Sequence, residues 1–161
     1  MMEIDQFRRI LEPAIRRVLH LYWRFTRPMT LGVRAVVIDA EARVFLVKHS
    51  YVAGWHLPGG GVEAGETLQV SLARELLEEG GITPLGPLAL HGVFFNARVS
   101  RRDHVAVYVL RDFRQQGVPH NPREIIGHGF FARDALPADT TRGTRARIGE
   151  VFDGVPVAER W

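Results

Sequence analysis

The sequence predicts an α/β protein in which a mixed β-sheet lies between layers of helices. Residues 67–79 contain no glycine or proline, are dominated by good helix formers and carry apolar residues at helical spacing. Runs rich in β-forming residues lie before and after this stretch, and a second helical pattern covers residues 145–152. Strands on both sides of one long helix, with another helix after them, indicate a sheet that is covered on both faces.

The composition indicates one globular domain. A length of 161 residues with 46% hydrophobic residues is enough to bury a core. No apolar run approaches the ~20 residues that span a bilayer and the N-terminus lacks a secretory core, so we expect a cytoplasmic protein with no transmembrane segment. The absence of cysteine excludes disulfides, thiolate metal sites and cysteine nucleophiles. A net charge of +3 permits nucleic-acid binding but does not favour it.

The first part of the chain has an apolar and arginine-rich pattern. Apolar residues recur near helical spacing over residues 3–25, which predicts an N-terminal helical extension, residues 1–29, ahead of a domain over residues 30–161. Pro13 breaks or kinks this helix, or marks the start of a second one. The helix packs either on the domain or on a second copy of it, which makes a homodimer reasonable, or it contacts an anionic membrane as a basic amphipathic helix.

Five β-rich runs predict the strands. The first two are separated by Asp39-Ala40-Glu41-Ala42 and are expected to form a hairpin. Residues 96–103 join the third and fourth. The predicted strands cover residues 32–38, 43–48, 88–95, 104–113 and 125–131.

A glycine-rich loop precedes the long helix. Residues 58–61, Pro-Gly-Gly-Gly, cannot continue a helix or a central strand, because proline fixes φ and glycine accepts positive φ. Thr67 is placed to cap the helix start and Gly80-Gly81 to end it. The apolar stripe expected to pack inward consists of Val70, Ala73, Leu76 and Leu77.

Three glutamates crowd a neighbouring face of the same helix. Glu75, Glu78 and Glu79 are related by one, three and four residue steps, and like charges at such spacing oppose helix formation. Acids near a helix C-terminus also face the unfavourable end of its dipole. A solvated acidic face is the ordinary interpretation of such a run. Carboxylates beside a glycine turn are also what Mg²⁺ requires, since it takes oxygen ligands together with substrate phosphates.

The whole run from residue 60 to residue 82 resembles the signature of the Nudix hydrolases. Its pattern is G-x5-E-x7-R-E-U-x-E-E-x-G-U, where U is aliphatic, and every fixed position matches. The resemblance covers about residues 30–137 and implies a Nudix-like α/β/α sandwich. The matching positions are Gly60, Glu66, Arg74, Glu75, Leu76, Glu78, Glu79, Gly81 and Ile82.

The resemblance implies a divalent-metal-dependent hydrolase that cleaves a diphosphate linkage by water attack on phosphorus. Mg²⁺, with Mn²⁺ as a substitute, would be held by Glu75, Glu78 and Glu79, with the Gly59 carbonyl and Glu124 as further ligands. The general base would be Glu75 or Glu124, and the sequence does not choose between them.

The remaining positions of the signature are expected to support the loop. Glu66 and Arg74 would form an ion pair that orients the loop against its helix. Gly60 and Gly81 would provide the turns at its two ends.

Four candidate substrate-binding residues lie outside the signature. Arg98, Arg101 and Arg102 could grip a phosphate or a ribose, although loop arginines are routinely solvated. Trp55 could stack on a base, although aromatic residues near strands more often belong to the core. The expected partner is a small nucleotide, and ADP-ribose, a sugar nucleotide, a dinucleoside polyphosphate and an oxidised nucleoside triphosphate all remain open.

Two other functions remain as alternatives. An RNA 5′-end pyrophosphohydrolase is compatible with the arginine content, and its RNA affinity would fall steeply with salt. A non-catalytic module that senses a nucleotide would be expected to have lost some of the box acids, and none is lost here.

Overall fold

The computed structural model describes residues 15–117 and 123–161. Helix α1 covers residues 15–26, α2 covers Leu68–Gly80 and α3 covers Arg142–Asp153. The predicted cap of α2 is present, since the Val70 amide donates to the Thr67 side chain. Gly81 ends the helix with a φ of 61°, in the left-handed region. Pro13 and the first part of the predicted N-terminal helix lie outside the described residues.

The strands agree with the predicted runs, with three short additions. In chain order they are β1 Thr30–Val37, β2 Val44–His49, β3 Trp55–His56, β4 Ile82–Pro84, β5 Ala89–Phe95, β6 Asp103–Leu110, β7 Phe113–Gln115 and β8 Ile125–Phe131. Strand β8 has the predicted bounds, and β5 and β6 begin within one residue of theirs, but β6 ends three residues before the predicted end at residue 113. The short strands β3, β4 and β7 were not predicted, because two or three residues carry no periodicity.

The β-structure is divided into two three-stranded sheets and a small ribbon. The first sheet has the order β1-β6-β5 and is mixed, because β1 runs parallel to β6 and β5 runs antiparallel to it. The second has the order β3-β2-β8 and is antiparallel. The ribbon joins β4 to β7.

The predicted hairpin between β1 and β2 is confined to its turn. The Asp39 amide donates to the Arg43 carbonyl at 3.1 Å, and Ile38 and Val44 form one antiparallel bridge, but the two strands then enter different sheets. The reason lies at the edge of β1, where the glycine-rich loop takes the place expected for β2. The amides of Val33 and Ala35 donate to the carbonyls of Gly60 and Pro58, at 2.9 and 3.0 Å.

The sheets lie between two apolar layers, as the predicted sandwich requires. Strand β1 contributes Val33 and Val37 to a cluster that includes Leu72 and Leu76 of α2. Its alternate residue Val36 belongs to a second cluster, which includes Ile148 of α3. Because successive strand residues point to opposite faces, both faces of β1 are buried.

The buried face of α2 differs from the predicted apolar stripe. Leu72 and Leu76 are fully buried, whereas Val70 and Leu77 are exposed. Glu79 lies on the buried face in their place. Of the predicted stripe, Leu76 is buried but Val70 and Leu77 are not. The spacing of apolar residues could not show that the Glu79 carboxylate takes part in the packed surface of the helix.

Helix α1 does not pack on the domain. All of its residues are exposed, which disfavours the first of the three predicted alternatives and does not test packing on a second copy or contact with a membrane. Among the described residues, no helix is both long and apolar enough to cross a bilayer.

Candidate active site

The glycine-rich loop lies along β1 in a conformation that excludes side chains. Gly59 has a φ of 132°, and a Cβ there would lie 2.1 Å from the Val33 carbonyl oxygen. A Cβ on Gly60 would lie 2.4 Å from a carboxylate oxygen of Glu75. The loop backbone is therefore pressed between β1 and the acidic face of α2. A side chain at Gly59 would meet backbone, so only glycine fits there, and a side chain at Gly60 would have to displace the Glu75 carboxylate.

Glu79 is the most buried of the three helix acids, with 7% of its surface exposed. Its Oε2 accepts a hydrogen bond from the Gly59 amide at 2.7 Å. Burial raises its pKa to about 7, which Arg34 opposes and the nearby carboxylates of Glu75 and Glu124 support. A cation placed beside Glu79 would stabilise its charged form.

Arg74 bridges the loop and the helix, as the sequence predicted. Its guanidinium meets Glu66 in a bidentate pair, with Nε 3.0 Å from Oε1 and Nη2 3.1 Å from Oε2. This pairing lowers the pKa of Glu66 to about 2. Arg74 also donates to Glu75 at 2.8 Å and contacts Glu78 at 3.5 Å. Burial raises the pKa of Glu75, and Arg74 opposes that shift.

Glu124 faces the helix acids from the start of β8. Its backbone carbonyl accepts from the Ser50 amide at 2.8 Å, which fixes this residue beside the end of β2. The Tyr51 hydroxyl bonds to its carboxylate, and burial together with that bond raises the pKa of Tyr51 to about 12. Glu124 also acts electrostatically on Glu79. The expected fourth acid therefore lies on the same side of the molecule as the helix acids.

Arg34 is a site residue that the sequence analysis missed. It comes from the middle of β1, and its Nη1 donates to the carbonyl oxygens of Leu57 and Gly59. The Gly59 carbonyl, expected to bind metal, thus already accepts a hydrogen bond from a cation. The available signal was an arginine inside an otherwise apolar strand, since such residues are seldom buried without a partner.

His49 is the second missed residue. It ends β2, and 3% of its side chain is exposed. Its Nε2 lies 3.4 Å from Glu79 Oε1, yet neither ring nitrogen makes a hydrogen bond within the described structure. Burial, Arg34 and His56 lower the pKa of His49 to about 4, so the ring is neutral near pH 7. No spacing in the sequence links this histidine to the signature.

The donor set suits a hard divalent cation in kind. The carboxylates of α2, the carboxylate of Glu124 just before β8 and the Gly59 carbonyl supply only oxygen, which Mg²⁺ and Mn²⁺ prefer. Within residues 15–117 and 123–161, however, no three acidic or histidine side chains converge on one point. Arg74 holds Glu75 and Glu78 instead, and Arg34 holds the Gly59 carbonyl. The oxygen atoms of these residues are suitable metal ligands. A cation would compete for them with Arg74 and Arg34, which now donate hydrogen bonds to them.

A cavity of about 890 Å³ adjoins the acids. Arg34, His49 and Tyr51 line it and connect it to Glu79 and Glu124. None of the described residues that line this cavity is an aspartate or a glutamate. Its other polar or aromatic lining residues are His56, Asn96, Arg98, Thr141, Arg142, Arg147, Arg160 and Trp161.

One of the four predicted substrate residues lies on this cavity. Arg98 lines it, whereas Trp55, Arg101 and Arg102 do not. Trp55 packs edge to face on Phe131 at 4.9 Å and belongs to the core next to α3. Arg142, Arg160 and Trp161 were not predicted, because the sequence gives no sign that the last residues of the chain return to this cavity.

Comparison with known proteins identifies relatives along most of the chain. The family model described as "NUDIX domain" matches residues 28–151. A MutT-like protein of Streptomyces ambofaciens is 36% identical over 125 residues, which is 78% of each chain. A putative 8-oxo-dGTP diphosphatase of Bacillus subtilis is 40% identical over 52 residues, and an RNA pyrophosphohydrolase of Hydrogenovibrio crunogenus is 38% identical over 53. This chain spans about a third of the length of those last two relatives, 35% and 32%.

Solved structures share the fold. A MutT NUDIX hydrolase from Burkholderia pseudomallei superposes with a TM-score of 0.67 at 28% identity, covering 76% of this chain and 98% of that one. An ADP-ribose pyrophosphatase from Streptococcus suis gives a TM-score of 0.57 at 22% identity, covering 82% of this chain and 95% of that one. The second likeness concerns the fold alone.

Proposed function

The chain belongs to the Nudix family, and on that premise we propose that it is a divalent-metal-dependent hydrolase of a nucleoside diphosphate derivative or related nucleotide. The reaction is cleavage of the diphosphate linkage by water attack on phosphorus. The cation is Mg²⁺, for which Mn²⁺ can substitute.

One observation carries this proposal. The buried carboxylate of Glu79, held by the Gly59 amide, lies beside a cavity that is lined by several arginines and, among the described residues, by no acid. A carboxylate cluster and a basic cavity in contact suit a substrate that is itself polyanionic, because the cavity attracts its phosphates and the acids hold cations against them.

In the proposed mechanism, each part of the site has its own task. Glu75, Glu78 and Glu79 would hold the metal from α2, with the Gly59 carbonyl and Glu124 as further ligands. A bound metal would supply charge neutralisation at the phosphates and would lower the pKa of a water molecule. Arg74 keeps the loop against α2 through its pair with Glu66, and Glu75 and Glu78 would bind a cation in place of their bonds to Arg74.

The general base is Glu75 or Glu124. Glu75 is largely buried and its pKa is raised, which strengthens it as a proton acceptor near neutral pH. Glu124 is also partly buried, and it is bonded to the Tyr51 hydroxyl. Separate Gln variants at the two positions are compared over a range of Mg²⁺ concentrations. The variant that lacks the base keeps a low kcat at saturating Mg²⁺, whereas a variant that has lost only a metal ligand recovers activity.

An RNA 5′-end pyrophosphohydrolase is the second candidate. It draws support from arginines 98, 142 and 160, which extend the basic lining, and from the names of several relatives. The salt dependence separates the two candidates, because several contacts to an RNA backbone make the affinity fall steeply with salt.

The test is product release from a panel of substrates with Mg²⁺ or Mn²⁺. The panel contains ADP-ribose, a sugar nucleotide, a dinucleoside polyphosphate, 8-oxo-dGTP and 5′-triphosphorylated RNA. Glu79→Gln is expected to lower kcat at least about a hundredfold on the preferred class. Glu41→Gln, an exposed acid on the turn after β1, is the matched control and keeps full activity.

Two results would reject parts of the proposal. Full activity of both Glu78→Gln and Glu79→Gln at saturating Mg²⁺ would remove these residues as ligands. Tight binding of one panel member without turnover would favour a nucleotide sensor over an enzyme.

A further inference from the structure

Helix α1 presents a broad apolar face to solvent. Its exposed fractions range from 40% at Leu19 to 74% at Phe25. At about 100° per residue these side chains cover roughly 200° of the helix circumference. We call this set the α1 apolar face; it consists of Ile15, Val18, Leu19, Leu21, Tyr22, Trp23 and Phe25.

The opposite side of α1 is basic. Four arginines and one histidine fall within an arc of roughly 100°. No aspartate or glutamate occurs between residues 13 and 38, so this part of the chain carries positive charge only. The basic residues are Arg16, Arg17, His20, Arg24 and Arg27.

We propose that α1 docks on the surface of an anionic phospholipid bilayer. The α1 apolar face inserts at the boundary between headgroups and acyl chains, while the arginines at its flanks contact lipid phosphates. Tyr22 and Trp23 suit this depth, because their rings are apolar and their polar ends remain at the headgroup level. The surface is separate from the acidic site, and the proposal does not depend on the enzymatic activity.

Charge complementarity favours a bilayer over a second copy of the chain. Paired helices usually select each other through opposite charges beside the apolar seam. Two α1 helices paired through this face would leave the arginine side in water, and residues 13–38 contain no acid that could form an ion pair beside the seam. An apolar arc of roughly 200° is also wider than a two-helix seam, which would leave part of it in water.

The connection to the domain makes docking compatible with the fold. Helix α1 ends at residue 26, and β1 begins at Thr30. The Arg27 amide still donates to the Trp23 carbonyl at 2.8 Å, so the helix continues almost to the strand. Because the described residues of α1 are exposed, contact with a surface requires no opening of the domain core.

The test is co-sedimentation of the full chain with lipid vesicles at low salt. Vesicles of equal parts phosphatidylglycerol and phosphatidylcholine are expected to bind the protein, and pure phosphatidylcholine vesicles to bind it much more weakly. Arg17→Gln with Arg24→Gln should lower the partition coefficient about thirtyfold, or about fivefold for each arginine. Val18→Ser with Phe25→Ser should lower it at least about tenfold.

Matched variants on other elements control for charge and apolarity. Arg111→Gln with Arg114→Gln removes the same charge near β7, and Leu85→Ser removes an exposed apolar side chain from the loop after β4. Both should bind vesicles like the wild type. Each variant is checked for an unchanged thermal unfolding transition.

Three outcomes would overturn the proposal. One is failure of the wild type to bind the anionic vesicles at low salt. Another is equal binding by the α1 variants and the controls. The third is a dimer in analytical ultracentrifugation that the Val18 and Phe25 substitutions dissociate, with no vesicle binding.

Discussion

Alanine substitutions at the three successive glycines of the loop should lower the stability of the protein by different amounts. Alanine at Gly59 would meet the Val33 carbonyl in a backbone conformation that side chains avoid, so we expect a loss of about 2–4 kcal/mol of stability. At Gly61 a Cβ meets nothing within 4 Å, and the change should stay within about 0.5 kcal/mol. Urea unfolding of the two variants provides the measurement.

Alanine at Gly60 should affect activity more than stability. The Cβ would meet only the far end of the Glu75 side chain, which can rotate away. Moving that carboxylate should lower kcat at least about tenfold, because small displacements at a reacting centre are costly. Gly61→Ala is the control in the same assay, and equal kcat values for the two variants would contradict the expected contact.

The pH dependence of stability should report the burial of Glu79. Its pKa is about 7 in the folded protein and about 4.5 in its ordinary state, so the folded form binds more protons between these values. The higher pKa of Glu79 in the folded protein therefore contributes stability that is fully present below about pH 4.5 and is lost as the pH rises through 7. The loss amounts to about 3 kcal/mol.

Urea unfolding between pH 4.5 and 8 in the presence of EDTA measures this effect. Glu79→Gln should remove this contribution, because a glutamine amide does not titrate and can still accept from the Gly59 amide. The lowered pKa of His49 makes the stability of both proteins rise up to about pH 6.5, so the effect of Glu79 is the difference between their two curves. Glu78→Gln, whose side chain is half exposed, should keep the contribution of Glu79. The interpretation fails if the wild type and Glu79→Gln share the same slope.

The residues of the site fall into two groups by how they could be found. Glu75, Glu78 and Glu79 lie on one helix, so their spacing along the chain was sufficient to predict their proximity. Arg34 and His49 reach the same acids from two strands that belong to different sheets. Their positions depend on strand register, which one sequence does not specify.

At the scale of elements, the start of α2 can be tested through its cap. Thr67 accepts from the Val70 amide at 3.2 Å and satisfies one of the free donors of the first turn. Thr67→Ala should lower the stability by about 1 kcal/mol. Gln69→Ala, an exposed position in the same turn, should be neutral or slightly stabilising in the same denaturation experiment. An equal loss for both variants would show that the cap contributes nothing.

The helices and longer strands were predicted well because their signals are local. Caps, glycine stops and periodicity act within a few residues. The β1–β2 hairpin does not extend beyond its turn, because the loop at residues 58–60 takes that edge of β1, and this choice involves residues more than 20 positions away. Pairing partners are therefore the part of this fold that local patterns do not determine.

At the scale of the whole molecule, one buried ion pair joins α3, β5 and the last residues of the chain. Arg147 is 1% exposed, meets Glu150 with Nε 2.8 Å from Oε2 and Nη2 2.5 Å from Oε1, and lies 3.9 Å over the Phe94 ring. Glu150 also binds His91 of β5 at 2.9 Å and accepts from the Ala158 amide at 3.0 Å. The pair therefore holds the segment that carries Arg160 and Trp161 against the cavity.

Removal of one partner should be much worse than replacement of both. Glu150→Leu leaves a buried guanidinium without its carboxylate and should cost about 3–5 kcal/mol. Arg147→Met combined with Glu150→Leu should recover most of that loss, because neither buried charge remains. Urea unfolding measures both, with the exposed pair of Arg133 and Asp153 as the matched control, whose loss should cost less than about 1 kcal/mol.

The double variant also separates stability from cavity formation. It should regain stability but not the bonds from Glu150 to Ala158 and from Arg147 to the Arg160 carbonyl, which position the cavity wall. KM for the preferred substrate should therefore stay raised severalfold while kcat changes little, because the carboxylates of α2 are untouched. A KM equal to that of the wild type would mean that the last residues keep their place without the ion pair, and that packing of Trp161 against Gly143 is sufficient to hold them.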